Sequence, residues 1–147
     1  MVIDNRFISE RVNQIRNWNM EFIHGDILDK NLVDKYFSNA DVVHHLAGIT
    51  SVPRTKSESS KEIDEKIKLV AEEGTQNILN TISNECKLIF PSTHVVYEGI
   101  SEVKKDIKEN ENTQPVLSYS SSKAANEKQI KDSRKNYVIL RLGSVYG

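Results

Sequence analysis

The chain has 147 residues, 37% hydrophobic and 28% charged, with 20 Lys and Arg against 21 Asp and Glu for a net charge of -1. That length and mix suit one domain with a real core; they are unlike a disordered chain and leave little room for two domains. The balanced charge gives no ground for a nucleic-acid partner, the single Cys86 forbids an internal disulfide, and no apolar run approaches the roughly 20 residues that span a bilayer. A reducing cytoplasm is the expected setting, with no membrane partner.

Met1-Val2-Ile3 is a stub of buried strand ending at Asp4. Ile8, Val12 and Ile15 recur at helical spacing over residues 8–18. Glu21-Phe22-Ile23-His24 reads as a short strand closed by Gly25-Asp26, and Asp29 can cap a helix with Leu32, Val33, Tyr36 and Phe37 on one side. Val42-Val43-His44-His45-Leu46 is a third strand running into Ala47-Gly48. A polar loop with Pro53 precedes a long helix over residues 60–83, whose buried stripe includes Ile63, Ile67, Val70, Ile78 and Ile82. Residues 87–90 form a strand that Pro91-Ser92-Thr93 ends, with Cys86 a small core residue at its start. Residues 98–114 are charged and aperiodic, an exposed loop. Residues 116–135 are helical, and Val138-Ile139-Leu140 is the last strand.

Strands alternating with helices predict right-handed crossovers and a parallel sheet covered on both faces. Ligands of such sheets bind beyond the carboxyl ends of the strands. Asp4, Gly25-Asp26, Ala47-Gly48 and Ser92-Thr93 all fall there. Asp4 can accept hydrogen bonds from ribose hydroxyls or merely cap a turn. Asp26 can meet an adenine amino group or start a turn, and Ala47-Gly48 marks either a close backbone approach or a tight turn. Thr93 can bond a substrate oxygen, or its hydroxyl can be satisfied by local backbone.

Tyr119 and Lys123, four residues apart on a predicted helix, share one face. An ammonium beside a phenol favours the phenolate and lowers the tyrosine's pKa from about 10, making Tyr119 a proton donor or acceptor near neutral pH. His24, His44, His45 and His94 lack metal-ligand spacing and read as structural, so no metal site is expected; His44 and His45 point to opposite faces of their strand.

Taken together, these pieces resemble the extended short-chain dehydrogenase/reductase family, the nucleotide-sugar epimerases and dehydratases. Val2-Ile3-Asp4-Asn5 is similar to the end of the family's second strand, Gly25-Asp26-Ile27 to its adenine-contacting motif, and His45-Leu46-Ala47-Gly48 to its cofactor-lining His-Leu-Ala-Ala. Gly74-Thr75-Gln76-Asn77-Ile78-Leu79 matches its Gly-Thr-x-Asn-Leu-Leu helix. Pro91-Ser92-Thr93 through Val96-Tyr97 resembles the strand end that carries its catalytic hydroxyl. Pro115, Tyr119, Ser122, Lys123 and Glu127 match proline-x-x-x-Tyr-x-x-Ser-Lys-x-x-x-Glu, and residues 141–147 look like the strand leading to the substrate half.

The resemblance implies an α/β fold: a Rossmann-like, doubly wound parallel sheet, incomplete because the family's first strand and Gly-x-x-Gly-x-x-Gly turn are missing. Residues 1–147 then form a partial NAD-binding domain, an internal piece of a longer enzyme. Ala71, Gly48 and Ser144 depart from the family's usual Asn, Ala and Asn. By the same resemblance NAD is the cofactor, held by Asp4, Asn5, Asp26, Ile27, Leu46, Ala47, Gly48, Tyr119 and Lys123. A nucleotide-sugar is the substrate, met by Thr93 and Ser144. Tyr119, Lys123 and Thr93 are catalytic, and the full-length protein can form a homodimer. The 147 residues alone are expected to be inactive. A non-catalytic dinucleotide-sensing module and an inactive remnant stand as alternatives.

Overall fold

The computed structural model describes residues 1–50, 58–102 and 104–143. Five strands alternate with four helices: β1 (Val2–Asp4), α1 (Ser9–Asn17), β2 (Phe22–His24), α2 (Lys30–Phe37), β3 (Val42–His44), α3 (Lys61–Thr81), β4 (Lys87–Thr93), α4 (Ser118–Asp132) and β5 (Asn136–Leu142), with a 3-10 turn at His94–Tyr97. The helices start where local chemistry allows. Asp29 accepts the Leu32 N–H at the head of α2, and Ser60 accepts that of Ile63 at the head of α3, each removing an orphan donor.

Every strand pair is parallel, as expected, but the pairs form two sheets, β1-β2 and β3-β4-β5. Within the sheets the strands follow one another as in a doubly wound parallel sheet, β2-β1 and β3-β4-β5. Helices α2, α3 and α4 pack side by side. They cover a core of Val33, Val43, Ile78, Leu79, Ile82, Cys86, Leu88, Phe90 and Ile130 against β3, β4 and β5.

Two strands outrun their predicted ends. Strand β4 continues through Pro91 to Thr93, because pairing with β3 stops at Ile89 while pairing with β5 runs on to Thr93 against Leu142. The Ile89 carbonyl accepts the His45 N–H, so Pro91, two residues on, faces the same side, where no ladder bond is lost to its missing N–H. Strand β5 is longer than its apolar run because all seven residues pair with β4.

The Gly-Thr-x-Asn segment of α3 has a mechanical reason at each position. A side chain on Gly74 would run into the end of Ile27, so its absence lets the segment after β2 seat on the helix. Asn77 Nδ2 donates to the Ile27 carbonyl at 3.0 Å, and Thr75 joins a buried polar chain described below.

Candidate functional site

The carboxyl ends of the strands carry most of the candidate residues. At β1 and β2, Asp4 Oδ1 accepts the Arg6 N–H at 2.8 Å, and Asp26 Oδ1 accepts that of Leu28 at 2.9 Å; both carboxylates shape turns. Asn5 Nδ2 donates to Asp26 Oδ2 at 2.9 Å, tying the two loops together. The Ile27 side chain is buried under Gly74, so it belongs to the core rather than to an open surface.

After β3, Leu46, Ala47 and Gly48 are exposed. A Cβ on Gly48 would meet nothing within 4 Å, and no described glycine has positive φ. Neither a tight turn nor a close approach within the chain therefore demands glycine at 48. Ser144 lies outside the described residues.

Helix α4 sets Lys123 against strand β4, near the strand's carboxyl end. Lys123 Nζ donates to the Pro91 carbonyl at 3.0 Å, two residues before Thr93, and sits 4.5 Å from the centre of the Phe90 ring. It is 6.0 Å from the centre of the Tyr119 ring. Thr93 Oγ1 accepts the Val95 N–H at 3.3 Å, the local role weighed for it, which uses a lone pair and leaves the hydroxyl proton.

The electrostatics correct one expectation. Burial pushes the Tyr119 phenol above its ordinary value instead of lowering it, and burial pulls the Lys123 ammonium down. The physical reason is direction. Lys123 spends its charge on a carbonyl and the Phe90 ring, and burial of the phenol outweighs an ammonium that makes no bond to it.

Beneath them, His45 is only 3% exposed. Its Nε2 is 2.8 Å from Thr75 Oγ1, which accepts from Asn126 Nδ2 at 2.9 Å, joining β3, α3 and α4. Its Nδ1 has no partner among the described residues. Burial, reinforced by the charge of Lys123, lowers its pKa to about 4, so it is neutral at pH 7.

The sequence reading missed Glu98 and Arg141. Leu117 at the N-cap position of α4 has no side-chain oxygen to offer. Instead Glu98 Oε1 accepts the N–H groups of Val116 at 2.8 Å and Leu117 at 2.7 Å, and the Ser120 hydroxyl. Burial would raise the Glu98 carboxyl, but these bonds hold it below its ordinary value. Replacing Glu98 by Ala is expected to cost about 1–2 kcal/mol of stability, as for loss of a good cap. A group held low contributes stability present above its unfolded value and lost as pH falls through the folded one. Urea titrations at pH 7 and pH 3.5 check both points, the variant's deficit shrinking at the lower pH. Arg141 was legible in principle: a charged residue in an otherwise apolar strand requires a partner.

The chain matches the NAD dependent epimerase/dehydratase family over residues 2–147. It belongs to that family. It is 31% identical to the CDP-paratose 2-epimerase of Salmonella typhi over 88% of this chain and 44% of that protein. Its fold is similar to the UDP-glucose 4-epimerase of Thermotoga maritima, with a TM-score of 0.81 and 25% identity over 99% of this chain and 48% of that one. The Bacillus cereus UDP-glucuronic acid 4-epimerase, solved with UDP-glucuronic acid and NAD, gives a TM-score of 0.77 and 27% identity over the same shares. The chain thus spans less than half the length of these epimerases. Family membership gives the α/β, Rossmann-like reading its support. Among the described residues, no helix is long and apolar enough to cross a membrane.

Proposed function

We propose that the full-length protein is an NAD-dependent epimerase, dehydratase or reductase of a nucleotide-linked sugar. The carrying observation is the meeting of α4 with the end of β4, where Lys123 holds Pro91 two residues before Thr93 and lies 6.0 Å from the Tyr119 ring. Epimerases of similar fold bind NAD and UDP-sugars, which supports the same partners here.

The residues present fit both nucleoside ends of NAD. Asp4, Asn5 and Asp26 offer polar groups at β1 and β2 for the adenosine half, and Leu46, Ala47 and Gly48 leave open surface after β3. Tyr119 and Lys123 would meet the nicotinamide ribose once the Lys123 ammonium leaves the Pro91 carbonyl. The 147 residues contain no Gly-x-x-Gly-x-x-Gly turn, whose amides would hold the pyrophosphate. When bound, NAD supplies a reversible hydride acceptor.

The chain's own residues handle the proton. Tyr119, kept protonated by burial, exchanges its phenolic proton with a sugar hydroxyl. Lys123 favours the phenolate when its ammonium turns toward the ring, and Thr93 orients the reacting oxygen with its hydroxyl proton. The full-length protein forms a homodimer in this reading: α3 leaves Leu69 exposed for a second copy to cover, and with it Ile63, which is exposed rather than part of the buried stripe its spacing predicted.

The test incubates the full-length protein with NAD and a panel of UDP- and CDP-linked sugars, following products by chromatography and the anomeric NMR signals. Conversion of at least one sugar is expected. NAD binding with no conversion of any would replace the proposal with a dinucleotide-sensing module. The 147 residues alone are expected to show no micromolar NAD binding by calorimetry.

A further inference from the structure

Strand β4, strand β5 and helix α4 are joined by one buried ion pair just behind the candidate site. Ser92 and Arg141 are neighbours across the β4-β5 ladder, and Glu127 lies one turn beyond Lys123 on α4. The Glu127 carboxylate, 3% exposed, accepts from Ser92 Oγ at 2.6 Å, Arg141 Nε at 2.9 Å and Arg141 Nη2 at 2.6 Å. Lys131 Nζ adds a longer contact at 3.3 Å.

The other edge of the same guanidinium faces the chain between β4 and α4. Arg141 Nη1 donates to the Tyr97 hydroxyl and, at 3.0 Å, to the Glu109 carbonyl; its Cζ lies 5.1 Å from the centre of the Tyr97 ring. Tyr97 in turn donates to the Lys108 carbonyl at 3.2 Å. One side chain therefore grips the helix carrying Tyr119 and Lys123, the turn that follows Thr93, and the charged loop between them.

We propose that Arg141 and Glu127 are positioning residues, which set the register of the Tyr119-Lys123 helix against the Thr93 strand end and hold the 98–114 loop beside it. The role in turnover rests on the function proposed above; the positioning itself does not. Stability alone is a poor reason for the arrangement, since well-packed apolar residues can replace a buried ion pair at little or no cost. Lysine can neutralise Glu127, but it lacks the planar fork that addresses the carboxylate on one edge and the turn and loop on the other.

The experiment compares Arg141→Lys and the double variant Glu127→Met with Arg141→Met in the full-length protein. Melting temperature, backbone hydrogen exchange, NMR titration of the Tyr119 ring carbon, kcat and NAD affinity are measured together. Exchange over residues 94–111 is expected to rise about tenfold in both variants, including a double variant that melts with the parent. The Tyr119 titration is expected to move down toward about 10 as the phenol loosens from its site. kcat is expected to fall by about 10²-fold with NAD affinity within about twofold, the signature of misplaced rather than missing groups.

Unchanged exchange and an unchanged Tyr119 titration in Arg141→Lys would overturn the proposal, as would a parent-like kcat in a well-folded double variant. If the parent turns over no nucleotide-sugar, the proposed function fails, and exchange with the Tyr119 titration still decides positioning. If the double variant does not fold, the same two readouts on Arg141→Lys decide it.

Discussion

Replacing Tyr119 with Phe is expected to lower kcat of the full-length protein by about 10²–10⁴-fold, the usual worth of a positioned proton donor or acceptor. The substitution is conservative in packing. Phe keeps the half-buried ring and its place near the Lys123 ammonium, and removes only the hydroxyl. NAD affinity should change by no more than a few-fold, since Lys123 and the strand-end residues are untouched. The pH profile adds a second check. Burial raises the phenol, so a base limb governed by Tyr119 should lie high in the apo protein, and a cofactor-bound profile with a lower limb would show Lys123 turned toward it. Near-parental turnover in the variant removes Tyr119 from the chemistry.

Acid should unfold the protein earlier than its carboxylates alone predict, because His45 is buried neutral. Its folded pKa of about 4 lies below the ordinary histidine value of 6.5. A depressed folded value means that the unfolded chain takes the proton first. The stability contribution is therefore complete above pH 6.5 and is lost as pH falls through 6.5 toward 4. The gap of about 2.5 units, at 1.36 kcal/mol each, sets an upper bound of about 3 kcal/mol. Charging the ring would also bring a second cation close to Lys123 and give Nδ1 a proton with no acceptor among the described residues. Urea unfolding of the parent and of His45→Gln at pH 7, 5.5 and 4 separates this effect from the carboxylates. Glu98 and Glu127 are both held low and act further into acid. The variant should be weaker at pH 7 and lose less between pH 6.5 and 4; parallel losses would clear His45 of the acid limb.

Much of this architecture was legible in the residues. Short apolar runs separated by helix-period stretches marked all five strands, and Asp29 announced a helix start. Asp29 succeeds as a cue because caps are local: three residues suffice to make the bond. Pro91 misled because a proline ends a strand only where its absent N–H would be needed, and that depends on how far β3 runs alongside. Lys123 misled for a related reason. Spacing on a helix places a side chain's root, whereas the Pro91 carbonyl and the Phe90 ring, supplied by another element, decide where its ammonium rests. Glu98 and Arg141 escaped notice because their partners lie 14 to 44 residues away along the chain. No local period records a contact of that kind. The roles of Asn5 and Leu46 came from family likeness alone, whereas Asp4, Asp26, Ala47 and Gly48 were also suggested by their place at strand ends. In this structure Asp4 and Asp26 shape turns, Asn5 bonds Asp26, and Leu46, Ala47 and Gly48 are exposed.

The division between β1-β2 and β3-β4-β5 has a consequence for handling the molecule. Among the described residues each sheet ends, at its free margin, on a ladder of amides and carbonyls with no rung opposite, and such margins invite any extended peptide that offers matching rungs. A preparation of these residues by themselves is therefore expected to self-associate as its concentration rises.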